Sequence, residues 1–208
     1  LQKKRFGQIH TYEQWLQPYL VSNTLQLLQN EIPKLRNRIE SVQLCFTTDP
    51  FMYEFDEIAK MSKDAIQLLN LNGIKCTVLT KGILPLELGD KKNYSMDNEY
   101  GITLISLDEK YREKMEPYAA PYQQRIDALK ALHDSGCKTW ISMEPYPTPN
   151  LIDQDINELL KAVSFTDKII FGRTNYCKEV SQGYPQHKHF YNEKAKQVVE
   201  FCKKNKID

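Results

Sequence analysis

The sequence lacks the features that mark membrane, secreted and strongly charged proteins. No stretch approaches the roughly 18 consecutive apolar residues of a membrane span, and Leu1–Arg5 is not followed by the apolar segment of a signal peptide. We therefore expect a cytoplasmic protein without membrane partners. Neither sign of charge is in excess, with 28 Lys and Arg against 27 Asp and Glu. This balance excludes a broad surface for coating nucleic acid but leaves a local basic groove open.

Short cysteine and glycine motifs are missing as well. The five cysteines are scattered and include no C-x-x-C pair, which argues against a disulfide framework, a zinc site or a redox dithiol and predicts buried, reduced thiols. The absence of G-x-G-x-x-G, G-x-x-x-x-G-K-[ST] and G-x-S-x-G disfavours Rossmann-type dinucleotide enzymes, P-loop NTPases and nucleophile-elbow hydrolases. His187 and His189, in a predicted loop, have no third ligand nearby, so no metal-binding residue is predicted.

What the sequence does contain is a regular alternation of short apolar runs and longer amphipathic stretches. The apolar runs predict five strands, at Val42–Phe46, Ile74–Leu79, Gly101–Leu107, Lys138–Met143 and Lys168–Phe171. The amphipathic stretches predict helices at Phe55–Leu71, Pro121–Ser135 and His189–Lys204, with one more that is capped by Asp153. Repeated strand–helix units imply parallel strands with helical crossovers, which is an α/β fold.

The chain is predicted to be a single domain, residues 1–208, because no repeat or flexible linker divides it. Its predicted parts are a mainly helical lead-in interrupted at Pro18 and Pro33 (1–41), a strand–helix barrel core (42–176), and a loop with a closing helix (177–208). An eight-stranded α/β barrel usually needs about 250 residues. An incomplete barrel therefore fits this length better.

Polar side chains stand where the predicted strands end. They include Thr48, Lys81, Ser106, Glu144 and Arg173. Because the carboxyl ends of parallel strands share one face of an α/β fold, we expect these residues to line one cleft. Turn formation explains the Thr, Asp and Gly residues of these segments equally well, but it gives no reason for Lys81 or Glu144.

Five segments, in order along the chain, resemble motifs of one family. They are Val42–Phe51 (VQLCFTTDPF), Val78–Gly82 (VLTKG), Ile105–Asp108 (ISLD), Glu116–Pro121 (EPYAAP) with Arg125, and Met143–Pro147 (MEPYP). Each is similar to a strand end or loop of radical S-adenosylmethionine proteins of the spore photoproduct lyase-like, or DNA repair photolyase, group. The resemblance covers roughly residues 42–176. Each motif is weak alone, and the specificity lies in their order.

The resemblance implies an incomplete parallel (β/α)6 radical-SAM-type barrel with S-adenosylmethionine across the strand ends. It also implies a [4Fe–4S] cluster that, reduced by an electron donor, cleaves S-adenosylmethionine to a 5′-deoxyadenosyl radical. By the same resemblance, Thr48 and Lys81 would contact the methionyl amino and carboxylate groups. Ser106 would approach the ribose, and the backbone near Glu144 would approach the adenine. These residue types suit a zwitterion and a ribose.

Arg125 has two roles open to it under the resemblance. It would hold either Glu116 or the methionyl carboxylate of the cofactor. The alternative, which needs no function, is an ordinary surface ion pair between Arg125 and Glu116 on a helix.

The sequence departs from the family at the cluster. The C-x-x-x-C-x-x-C loop that ligates three irons is absent from these 208 residues. In the family that loop follows the first of six strands, so we expect the first βα unit to be missing from this chain and the chain alone to generate no radical. Phe46 stands where spore photoproduct lyase carries its hydrogen-donating cysteine. The substrate, with nucleic acid one candidate, is therefore left unassigned.

A second function class stays open, namely a relative without the cluster that binds a nucleotide-like ligand or a nucleic-acid strand in the same cleft. Tyrosines near the strand ends would stack on bases: Tyr111, Tyr118, Tyr122, Tyr146 and Tyr176. Phosphates would be bound by Arg112, Lys114 and Arg173. Plain packing explains tyrosines at such positions as well.

Overall fold

The computed structural model describes residues 10–45 and 48–208, so Leu1–Arg5, Phe46 and Thr47 of the sequence predictions lie outside the described residues. The strands are β1 (Ser41–Gln43), β2 (Lys75–Thr80), β3 (Glu99–Thr103), β4 (Lys138–Tyr146) and β5 (Lys168–Arg173). The helices are α1 (Tyr12–Leu16), α2 (Thr24–Leu35), α3 (Asp56–Leu71), α4 (Glu109–Met115), α5 (Tyr122–Asp134), α6 (Ile156–Ala162), α7 (Lys178–Ser181) and α8 (His187–Asn205). A 3₁₀ turn at Leu86–Gly89 lies between β2 and β3.

The strands form one parallel sheet whose spatial order equals the chain order, from β1 to β5. Gln43 pairs with Thr77, Leu79 with Gly101, and Gly101 with Trp140. Because crossovers between parallel strands are right-handed, a sheet that always steps in one direction carries its crossover helices on one face. The sheet therefore curls into a half-barrel with helices outside, an incomplete α/β barrel as the sequence predicts.

Alternating burial along the strands reflects the two faces of this sheet. In β2, the buried Cys76, Val78 and Thr80 alternate with half-buried residues, which is the period of two expected when helices cover one face. The apolar members of this set belong to one continuous hydrophobic core with the inner faces of α3, α5, α6 and α8. On the other face the ring of Trp140 lies over Gly101, where a Cβ would be 2.3 Å from the ring.

All five strand ends differ from the predictions, that of β2 by one residue only. β1 ends at Gln43, before the predicted Leu44 and Cys45, because the backbone turns at Cys45, where φ is 54°. β4 continues to Tyr146, past the predicted end at Met143. β5 continues to Arg173, past the predicted end at Phe171.

β3 ends at Thr103 rather than Leu107. Just beyond this end, Leu104 N still donates a hydrogen bond to Ser142 O of β4, at 2.9 Å. Leu104 and Ile105 are buried beyond the end of the strand, whereas Leu107 is exposed, and the sequence pattern cannot distinguish a buried apolar loop from a strand.

Three details of the helix predictions are wrong. α6 is capped by the side chain of Asp155 and not by Asp153. Pro33 lies within the last turn of α2 and does not interrupt that helix. His187 belongs to the first turn of α8 and not to a loop, because this helix, predicted from His189, begins two residues earlier. In each case, local polar or proline residues offered more than one place for a helix boundary.

The cysteines are less uniformly buried than predicted. Cys76, Cys137 and Cys202 are buried, Cys177 is half-buried and Cys45 is exposed, and all are free thiols. In the part of the chain that the structure describes, no helix is both long and apolar enough to cross a membrane.

Candidate functional site

Asp49, in the loop after β1, ties the carboxyl ends of β1 and β2 together. Its carboxylate accepts hydrogen bonds from Thr80 Oγ1, from Lys81 N at 2.7 Å and from Phe51 N at 2.9 Å. Two of these donors belong to the end of β2. Asp49 therefore fixes the loop that carries Thr48 beside the backbone of Lys81.

The side chain of Lys81, the first residue after β2, begins a chain of ion pairs. Its ammonium group donates to Oε1 of Glu116, the C-cap residue that follows α4. Oε2 of Glu116 accepts from both Nη1 and Nη2 of Arg125 at 3.1 Å. The exposed fractions of the side chains are 41% for Lys81, 3% for Glu116 and 0% for Arg125. The chain of charges therefore runs from the interior to the open carboxyl edge of the sheet.

Arg125 is bonded on several sides. Its Nε donates to Ala120 O at 2.7 Å and its Nη1 to Thr103 O at 2.9 Å. These bonds replace the water that a guanidinium loses on burial. The sequence left Arg125 to bind either Glu116 or the methionyl carboxylate, and in the structure its guanidinium binds Glu116. The alternative prediction, an ordinary ion pair on the protein surface, is wrong because both side chains are buried.

Two phenols border this group of charges. Burial, with a further contribution from the Glu116 carboxylate, raises the pKa of the Tyr111 hydroxyl to about 12. The same causes raise the pKa of Tyr122, whose ring centre lies 4.9 Å from Cζ of Arg125. Both phenols are therefore neutral at physiological pH and leave the net charge of the group unchanged.

The other predicted site residues differ in accessibility. Thr48 and Glu144 are exposed, whereas Ser106 is fully buried and its Oγ accepts from Asp108 N at 3.1 Å. The side chain of Glu144 lies against Gly172. A Cβ added to Gly172 would be 2.4 Å from Cδ of Glu144. Within residues 10–45 and 48–208 the Glu144 carboxylate accepts no hydrogen bond. Glu144 is thus an exposed acceptor with no donor from the described residues, and Ser106 stabilises the loop after β3.

The tyrosines proposed to stack bases divide into two groups. Tyr111, Tyr122 and Tyr146 are buried, so the stacking prediction is wrong for these three, and packing explains them. Tyr118 and Tyr176 are exposed.

The cations proposed to bind phosphates divide in the same way. Arg112 is largely buried, its Nη1 donating to Ala119 O at 2.9 Å while its Nε bonds Glu109. Its donors therefore serve the protein rather than a ligand. Lys114 and Arg173 are exposed.

Two contributors to the site were not predicted. Asp49 lies inside a motif that drew attention to its neighbour Thr48, and an Asp that precedes Pro is itself a common turn signal. Helix α4 begins at Asp108, whose side chain accepts from Tyr111 N at 3.0 Å. The helix-start signal of Asp108 followed by Glu109 is present, but α4 is short and mostly charged, so it lacks an apolar period.

No metal-binding group is found among residues 10–45 and 48–208, where three or more His, Cys, Asp or Glu side chains do not converge. The half-buried His187 has its Nδ1 3.1 Å from Tyr184 O. The site described by these residues is therefore built from an ion-pair chain, hydroxyls and one free carboxylate.

We expect Gly82 to tolerate no side chain. A Cβ there would lie 1.7 Å from Phe51 O, a backbone atom. Gly82→Ala is therefore expected to lower the free energy of unfolding by about 1–3 kcal/mol, measured by urea titration. Gly172→Ala is the matched control, because its Cβ meets only the movable end of Glu144, and its effect should be under about 1 kcal/mol. Equal losses in the two variants would contradict this reason.

Comparison with known proteins identifies one family. The model of the radical SAM superfamily matches residues 5–163. An uncharacterized protein of Acidianus two-tailed virus is 21% identical over 150 residues, which are 72% of this chain and 49% of that protein. An uncharacterized protein of Methanocaldococcus jannaschii is 32% identical over 77 residues, which are 37% of this chain and 29% of that protein. The chain thus matches about half or less of the length of these relatives. No solved structure matches it.

Proposed function

The chain belongs to the radical SAM superfamily, and we propose that it is the S-adenosylmethionine-binding core of an enzyme of the spore photoproduct lyase-like group. The ordered motifs between Val42 and Pro147 support the assignment to this group. The observation that carries the proposal is the ion-pair chain of Lys81, Glu116 and Arg125 at the carboxyl edge of the sheet.

The charge of this ion-pair chain suits a carboxylate ligand. Glu116 contributes one negative charge between the cations of Lys81 and Arg125, so these three side chains together carry one positive charge. The nearby carboxylate of Asp49 is bonded by Thr80, Lys81 N and Phe51 N instead. Of the side chains of Lys81, Glu116 and Arg125, only that of Lys81 is accessible, so the excess positive charge is available to a ligand at the carboxyl edge of the sheet. A ligand carboxylate that arrives there meets a charge-assisted donor, which forms stronger hydrogen bonds than a neutral one. The methionyl carboxylate of S-adenosylmethionine is such a group.

The remaining residues are assigned by their accessibility. Thr48, held near Lys81 by Asp49, supplies a hydroxyl acceptor for the methionyl amino group. Glu144, with its adjoining backbone at β4, faces the adenosyl part of the ligand. Ser106 is fully buried, so we assign to it the support of the loop that the ribose approaches.

The residues of this chain do not fit the [4Fe–4S] cluster of the superfamily. Such clusters are held by cysteine thiolates, and the sequence has no C-x-x-x-C-x-x-C. Three of its five cysteines are buried. We propose that a βα unit outside this sequence carries the cluster loop, and we assign no radical step to the residues described here.

Isothermal titration calorimetry of the full-length protein tests the proposal. S-adenosylmethionine is expected to bind saturably, and 5′-methylthioadenosine, which lacks the methionyl amino and carboxylate groups, is expected to bind more weakly. A protein that does not bind S-adenosylmethionine would overturn the proposed function. Equal affinity for the two ligands would remove the methionyl contacts from it.

A second candidate function is binding of a nucleic-acid strand without catalysis. It is favoured by the missing cysteine motif and by the exposure of Tyr118 and Tyr176. Fluorescence anisotropy with a labelled single-stranded oligonucleotide would then show binding that weakens steeply as salt rises, because phosphate contacts release counterions. Affinity that is absent, or that is unchanged at high salt, speaks against this candidate.

A further inference from the structure

We propose that Glu116 is a positioning residue for ligand recognition, which holds the ammonium group of Lys81 where the methionyl carboxylate binds. This inference rests on the proposed function. It adds that discrimination between S-adenosylmethionine and ligands without a carboxylate depends on a buried residue that does not itself touch the ligand.

The geometry leaves Lys81 free to hold two carboxylates at once. A lysine ammonium has three donors on a flexible four-carbon stem, so an unheld Lys81 would sample many positions. Glu116 Oε1 takes up one donor. The side chain of Lys81 is still 41% exposed, so a ligand at the open edge can reach it.

Arg125 prevents Glu116 from repelling the ligand. A second carboxylate beside Glu116 would meet a like charge at short range, which disfavours binding. The two bonds from Arg125 to Oε2, both 3.1 Å long and fully buried, offset that charge. Glu116 can therefore orient Lys81 without competing with the ligand for it.

The same segment also fixes the backbone of Lys81. Ala120 N donates to Lys81 O at 2.9 Å, and Ala120 O accepts from Arg125 Nε at 2.7 Å. The base and the tip of Lys81 are thus both attached to the segment from Glu116 to Arg125. A lysine side chain that is held at both its backbone and its ammonium group loses less conformational entropy when it binds a ligand.

Glu116→Gln tests the inference by calorimetry on the full-length protein. An amide has a single acceptor oxygen and presents N–H donors on its other side, so it cannot serve both cations. We expect the affinity for S-adenosylmethionine to fall about 3- to 10-fold, the value of one hydrogen bond. The affinity for 5′-methylthioadenosine should not change, because that ligand has no group for Lys81.

The control is Glu113→Gln, which removes a carboxylate from the last turn of α4, just before Glu116, at a side chain that is 69% exposed. It should leave both affinities unchanged. Unchanged or tighter S-adenosylmethionine binding by Glu116→Gln would overturn the inference, and tighter binding would mean that Glu116 competes with the ligand. Equal losses for both ligands would also overturn it, since they indicate general damage to the fold. Failure of the unmodified protein to bind S-adenosylmethionine would instead overturn the proposed function.

Discussion

Replacing Arg125 by methionine is expected to lower the free energy of unfolding by about 3–5 kcal/mol, the effect of leaving a buried charge without its partner. The stem of methionine fills most of the same space, but Glu116, which is 3% exposed, loses both bonds from the guanidinium. Lys81 approaches Glu116 from the open side and contacts only the other carboxylate oxygen. Urea titration of the chain, followed by circular dichroism, measures the loss.

A double variant separates the charge from the packing. Arg125→Met combined with Glu116→Leu removes both buried charges, so part of the lost stability should return. The recovery is expected to be incomplete, because Thr103 O and Ala120 O still lack the donors that Arg125 provided. A single variant whose free energy of unfolding lies within about 1 kcal/mol of the unmodified chain would refute the assigned role of Arg125.

Lys81→Met is expected to weaken binding of S-adenosylmethionine by about 10- to 100-fold. A hydrogen bond to a charged group contributes roughly 1.5–3 kcal/mol, and each 1.4 kcal/mol is about a factor of ten in affinity. The fold should persist, because Glu116 keeps its two bonds from Arg125 when Lys81 is removed. Calorimetry on the full-length protein gives the affinities, and circular dichroism confirms the fold.

The matched control is Lys114→Met. Lys114 is an exposed lysine of α4 with no ion pair among the described residues, so it tests whether any nearby positive charge has the same effect. It should change the affinity by less than about twofold. Equal affinities for Lys81→Met and the unmodified protein would remove Lys81 from the site.

Much of the fold could be predicted from the sequence because its elements have clear periods. The apolar strand at Ile74 and the amphipathic helix up to Leu71 match β2 and α3 to within one residue. Errors arose where an apolar segment continues beyond the end of a strand, as after Thr103, and where an element is too short and polar to show a period, as in α4.

Less of the candidate site could be predicted. The parallel arrangement of strands brings Lys81 and Glu144 to one edge, as strand ends in an α/β fold require. Whether a side chain at that edge is free or already bonded depends on tertiary contacts. Arg125 and Glu116 are separated by Pro117 and Pro121 and share no helix, so no local pattern in the sequence shows that they form a buried pair. The full burial of Ser106 has no local signal either.

The strand order has a consequence for how the protein is made. Each strand pairs with the strand synthesised just before it, but every pairing joins residues on opposite sides of a crossover, as Ser41 with Lys75 and Glu99 with Lys138. Such non-local parallel pairings form slowly, so the sheet is expected to fold as a unit once its later strands have been synthesised. Lys81, Glu116 and Arg125 are all present once α5 emerges, before β4 and β5 exist. The residues of the ion-pair chain thus all precede β4 and β5 in the order of synthesis.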